Sequence, residues 1–257
     1  MSWDTTALPA VDPVAESPFG ISPRQLATPR TVLKRPGGAL SSRSLPFFWL
    51  ADCSGSMLQD GKIQALNNAV REALPHMREV AAENPYAHPY VQVMSFSAGA
   101  VWQDAQLIPL EHFSWSDLQA GGTTDLGAAL KLLAGRLDSL EIIERSLPPV
   151  VILISDGQPT DDYESGLAAL ERTALGAKAV RLAIAIGRDA DKNILERFVG
   201  NRSIPILEAN TPEALVRQIR WASTIGLSSS SSPSLGSTSD KYIPEVDNEG
   251  IDELEIW

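Results

Sequence analysis

Asp52, Ser54 and Ser56 stand at every second position just beyond an apolar run, Phe47 to Leu50. The run is hydrophobic on both faces and carries no helical stripe, which predicts a buried strand. A carboxylate and two hydroxyls at a strand's carboxyl end are hard oxygen donors, suited to Mg²⁺ or Mn²⁺. Gly55 lets the chain turn tightly between the serines. Other chemistries fit these residues less well. Ser54 as a nucleophile needs a base, yet His76, His88 and His112 lie in unrelated segments and no Gly-x-Ser-x-Gly elbow is present. Asp52 as a phosphate acceptor wants a second carboxylate two residues on, where Ser54 stands. Cys53 reads as a small packed residue beside the strand end.

Two further stretches must meet the first. Gly121-Gly122-Thr123-Thr124 opens a helix with Leu126, Leu130, Leu133, Leu137 and Leu140 along one side. Ser155-Asp156-Gly157 ends Val150 to Ile154, the most apolar run in the chain. Around them, hydrophobic spacing predicts a helix from Lys62 to Glu83, with Pro75 set to kink or end it early. A strand from Tyr90 to Phe96 is followed by an antiparallel one from Val101 to Leu110. A helix from Tyr163 to Lys178 is entered through Asp161 and Asp162, read as caps rather than as extra ligands. Then come a strand from Val180 to Ile186, a short helix from Asp191 to Val199 and a short strand from Ile204 to Leu207. Thr211-Pro212-Glu213 starts the last helix, with Thr as N-cap. Strands alternating with helices predict a doubly wound α/β fold, with a mostly parallel sheet and helices on both faces. Ligand sites in such sheets lie at the strands' carboxyl ends. With the Phe47 and Val150 strands adjacent, Asp52 and Asp156 flank one crevice, and Thr124 reaches it from the next loop.

Composition bounds what such a site can serve. The 257 residues suffice for one sizeable α/β domain or two small ones. A net charge of −11 argues against nucleic acid as partner, since its phosphates would be repelled. One cysteine permits no internal disulfide, and no secretory leader or membrane-length apolar run is evident. The expectation is a cytoplasmic protein with no membrane partner. Residues 1–44 are rich in Pro, Ser and Thr and read as a flexible arm, acidic first and then basic. The domain spans 45–227. Residues 228–257 read as a Ser-rich linker and an acidic tail.

Asp52-x-Ser54-x-Ser56, Gly-Gly-Thr-Thr124-Asp-Leu-Gly and Leu-Ile-Ser-Asp156-Gly together resemble the metal-ion-dependent adhesion site (MIDAS) of a von Willebrand factor A (vWA) domain. Within that superfamily the chain resembles the TerY-type proteins of bacterial tellurium-resistance and stress systems. Asn67-Asn68 and the stretch Asp156-Gly-Gln-Pro-Thr-Asp161 add to the likeness, which covers about residues 45–225. The resemblance implies a six-stranded sheet of order 3-2-1-4-5-6, with the Val101 strand antiparallel. It also implies Asp52, Ser54, Ser56, Thr124 and Asp156 as metal ligands. Counting back from the Leu-Gly-Ala-Ala-Leu helix favours Thr124 over Thr123.

Two carboxylates would balance a dication while the three hydroxyls stay neutral, so the metal keeps its pull on a further oxygen. The resemblance therefore implies a non-enzymatic adaptor that grips an Asp or Glu carboxylate of a protein partner, with an associated Ser/Thr kinase or phosphatase among the candidates. The alternative expectation is a regulator or substrate of such a kinase–phosphatase pair. It would act through its tails, where Thr28, Thr31 and the tract 228–239 offer acceptors.

Overall fold

The structure, a computed structural model, describes residues 42–139, 146–156, 158–188 and 190–231. Thr28, Thr31 and the acidic tail lie outside them, as does Leu140. The sheet contains β1 (Arg43–Asp52), β2 (Ala87–Ser97), β3 (Gly99–Trp102), β4 (Ile108–Pro109), β5 (Val150–Ser155), β6 (Val180–Ile186) and β7 (Leu207–Ala209). The helices are α1 (Lys62–Glu83), α2 (Leu126–Ser139), α3 (Tyr163–Arg172), α4 (Lys192–Val199) and α5 (Pro212–Ser231).

The strand order is β3-β2-β1-β5-β6-β7, with β4 also paired to β2. All pairings are parallel except those of β3 and β4 with β2. This is the expected doubly wound α/β sheet, with one extra short strand. β1 and β5 are buried on both faces, which explains their unbroken apolar runs. Alternate residues divide between two cores. Phe47, Trp49, Val150 and Ile152 pack under α1 and α5, with Leu66 and Leu215. Phe48, Leu50, Val151 and Leu153 pack under α2, α3 and α4, with Leu130, Leu167 and Leu195.

Several boundaries differ from the sequence pattern. The antiparallel strand expected from Val101 to Leu110 breaks into β3 and β4, because the buried Gln92 side chain bonds the Asp104 carbonyl at 2.8 Å in place of a ladder bond. α1 runs through Pro75, since Leu74 and Met77 on either side of it are buried in the core. The helix from Tyr163 stops at Arg172: the Thr173 hydroxyl bonds the Leu170 carbonyl, and a short 3-10 turn follows at Gly176–Lys178. The last strand sits at Leu207–Ala209 rather than Ile204–Leu207, beside Ile184–Ile186 of β6. α5 is capped as expected, with Ala214 N donating to Thr211 Oγ1 at 3.1 Å, but it continues to Ser231, into the serine tract. No described helix is long and apolar enough to cross a membrane.

Candidate metal centre

β1 and β5 end side by side, Ala51 opposite Ile154. Their onward connections diverge: β1 leads to α1 on one face, and β5 leads to α3 on the other. That divergence opens the crevice at the carboxyl ends of the strands. The register sets Asp52 level with Ser155, and Ser155 Oγ donates to Asp52 Oδ2 at 2.6 Å. Ser54 N donates to Asp52 Oδ1 at 2.8 Å, folding the loop back over the strand end. The Ser54 and Ser56 hydroxyls are 2.9 Å apart, and Ser56 Oγ donates to Asp156 Oδ2.

The Thr124 loop is laced onto this pair. Gly121 N donates to the Cys53 carbonyl at 2.8 Å, and Gly55 N donates to the Gly122 carbonyl at 3.0 Å. Gly122 has φ 91°, a left-handed conformation that favours glycine. Thr124 is buried, and its hydroxyl bonds no described residue. Thr123 is exposed, with its hydroxyl donating to Asp125 Oδ1 at 3.1 Å. Asp52, Ser54, Thr124 and Asp156 are thus buried together, with Ser56 half-buried between the two loops.

The charge at this point is negative. Among the described residues neither Asp52 nor Asp156 pairs with a lysine, arginine or histidine. Burial pushes the Asp52 carboxyl up to about 6, against hydrogen bonds from Ser155 and Ser54, and the Asp156 charge adds to the rise. Two buried carboxylates without a counter-charge are costly, and a cation between them would relieve that cost. The donor set therefore fits a hard divalent metal. No three His, Cys, Asp or Glu side chains are grouped for a metal among the described residues, so a metal here needs the hydroxyls as well.

Cys53 is buried, and burial pushes its thiol up to about 12, so it is not a ready nucleophile. No histidine bonds Ser54 or Ser56: His76 lies near Thr224 and Glu79, and His88 near Glu111.

Three residues around the site were not in the expected ligand set. Ser155 supports Asp52; its signal was a polar residue at the end of an otherwise apolar strand, where a buried hydroxyl needs a partner. Thr160 and Asp161 hold the Thr124 loop. Both aspartates after Thr160 are caps, but of different helices. Asp162 accepts from Ser165 N at the start of α3, whereas Asp161 accepts from Gly127 N and Ala128 N at the start of α2. The expectation that Asp161 caps the Tyr163 helix is therefore corrected. The two helices come close enough at Gly127 and Gly166 for one carboxylate to cross between them.

Solved structures show the same fold. A von Willebrand factor type A protein from Catenulispora acidiphila superposes with TM-score 0.55 at 19% identity, over 72% of this chain and 43% of that one. The ArnB paralog VWA2 from Sulfolobus acidocaldarius gives TM-score 0.52 at 19% identity, over 70% and 45%. The pilus adhesin SpaC from Lactobacillus rhamnosus GG, in its open conformation, gives 0.58 at 13%, over 74% and 31%. The chain thus matches less than half the length of each of these proteins. Comparison with curated proteins finds no match. The von Willebrand factor type A domain family matches residues 49–218, a span that includes all five candidate ligands, and the chain belongs to that family.

Proposed function

We propose that the domain is a metal-dependent protein-interaction module, in which Asp52, Ser54, Ser56, Thr124 and Asp156 hold one Mg²⁺ or Mn²⁺ and a partner's Asp or Glu carboxylate completes the set. One observation carries this reading: two buried carboxylates, with no cationic partner among the described residues, share a crevice with the Thr124 hydroxyl, which bonds no described residue. Family membership and the position at the strands' carboxyl ends support it. Bound there, the metal would supply an electrophilic centre for a carboxylate oxygen. The protein's own groups do the rest. Ser155 and Ser54 N–H orient Asp52, Ser56 bridges the first and third loops, and the Thr124 hydroxyl is left open to a ligand. The high thiol pKa of Cys53 and the lack of a histidine at Ser54 support a binding role over a catalytic one.

The finer assignment, a TerY-type adaptor of a bacterial tellurium-resistance or stress system working beside a Ser/Thr kinase or phosphatase, rests on the motif resemblance alone. A kinase and a phosphatase gene next to this one would favour it, and neighbouring genes of unrelated function would count against it. Calorimetry with Mg²⁺ and Mn²⁺ tests the metal itself. Wild type should bind one ion per chain, and Asp52→Ala should bind neither metal measurably. Equal binding by both proteins rules the ligand set out.

A further inference from the structure

We propose that Thr160 is a positioning residue for the metal site, clamping the Thr124 loop to the loop that carries Asp156. The inference rests on the metal-binding reading and adds to it a residue outside the ligand set.

Thr160 engages both backbone polar groups of Thr124. Its N–H donates to the Thr124 carbonyl at 2.8 Å, and its Oγ1 accepts from Thr124 N at 3.0 Å. The same hydroxyl donates onward to Asp125 Oδ1 at 3.2 Å. With one bond accepted and one donated, the hydroxyl has a defined orientation. Asp125 is itself anchored: its second oxygen accepts from Gly99 N at 2.8 Å, and its own N–H donates to the Ser97 carbonyl at 2.9 Å. Thr160 thus ties Thr124 to the turn between β2 and β3 as well as to its own loop.

Asp161 extends the clamp by one residue. Its two oxygens accept from Gly127 N at 2.8 Å and Ala128 N at 2.7 Å, in the first turn of α2. Those N–H groups lack partners within the helix, and a carboxylate there is favoured by the dipole. Thr124 lies two residues before the start of α2, with Leu126 N donating to its carbonyl at 3.0 Å. The stretch from Asp156 to Asp161 therefore holds one proposed ligand at its start and grips the flanks of another at its end.

The consequence is geometric. The Thr124 hydroxyl has no bond among the described residues, so it is placed by its backbone, and Thr160 places that backbone. A metal site needs its ligands held to about half an ångström. Partners that orient ligands typically matter by about 10- to 100-fold in metal affinity. Thr160 is exposed, so changing it removes little core packing.

The test titrates the full chain with Mn²⁺, following loss of the free-ion electron paramagnetic resonance signal. Thr160→Val, close in shape but without the hydroxyl, should bind about tenfold more weakly than wild type. Thr160→Ser keeps the hydroxyl and should stay within about twofold of wild type. Asp161→Asn, of equal size, should weaken binding about fivefold and serves as the second variant if Thr160→Val does not fold. Thermal melts in chelator check each variant's fold. Wild-type affinity in a folded Thr160→Val, or in Asp161→Asn where it stands in, overturns the clamp. A Thr160→Ser as weak as Thr160→Val overturns the role of the hydroxyl. A wild type that binds no Mn²⁺ overturns the underlying metal reading instead.

Discussion

The Ser56 hydroxyl donates to the Asp156 carboxylate across 100 residues of sequence, joining the loop after β1 to the loop after β5. Ser56 is half-buried, and among the described residues its other side-chain hydrogen bond is with the Ser54 hydroxyl at 2.9 Å. Ser56→Ala should therefore leave the fold intact and lower Mg²⁺ affinity about tenfold, about 1.4 kcal/mol of binding energy. Calorimetry checks it, and unchanged affinity removes Ser56 from the ligand set.

The domain should keep its tertiary structure without metal. Trp49 is fully buried, with ring centres 5.6 Å from Phe47, 5.9 Å from Phe113 and 5.9 Å from Trp115. That cluster belongs to the core under α1 and α5, built by packing rather than by the crevice. Near-UV circular dichroism in excess chelator should match the metal-loaded signal. Loss of the signal would show that the metal is part of the fold.

Close approach of α2 and α3 depends on Gly127 and Gly166. A Cβ on Gly166 would lie 2.5 Å from the Gly127 carbonyl oxygen, and one on Gly127 would collide with the Asp162 carbonyl. Either alanine substitution should cost about 1 to 3 kcal/mol by overpacking. Gly135, on the same helix with open space around it, is the control and should tolerate alanine. Equal urea midpoints for Gly127→Ala and Gly135→Ala would contradict this packing.

Glu171 is one source of pH dependence. Burial raises its carboxyl, but hydrogen bonds from Arg197 and Arg181 outweigh that and hold it below the ordinary value of 4.5. Such a group contributes stability above its unfolded pKa and loses it as pH falls through the lowered folded value. About a third of the side chain meets water, so Glu171→Gln should cost only about 0.5 to 1 kcal/mol at pH 7. The gap from wild type should narrow as pH falls below 4.5 and close once Glu171 is protonated in both states. Urea melts across a pH series from 7 downward read it; a gap that does not narrow with falling pH means that the charge is not its source.

Much of the strand and helix pattern could be read locally. The apolar runs of β1 and β5 show burial on both faces, and Thr211 with Pro212 marks the start of α5 because capping uses only neighbouring residues. What failed locally depended on distant groups. Pro75 reads as a helix breaker until the core buries Leu74 and Met77, and β3 parts from β4 because Gln92 reaches across to Asp104.

The same division holds at the crevice. The alternation along a strand end and the Gly-Gly-Thr turn are local properties, and with the resemblance to a metal-ion-dependent adhesion site they suggested Asp52, Ser54, Ser56, Thr124 and Asp156 as one oxygen-rich set. Only the tertiary structure decided that Ser155 supports Asp52 and that Asp161 caps α2 while Asp162 caps α3. The reason is geometric. An aspartate can cap any helix start that comes within reach, and which one does so is set by how closely α2 and α3 pack at Gly127 and Gly166, a distance encoded nowhere in the neighbouring sequence.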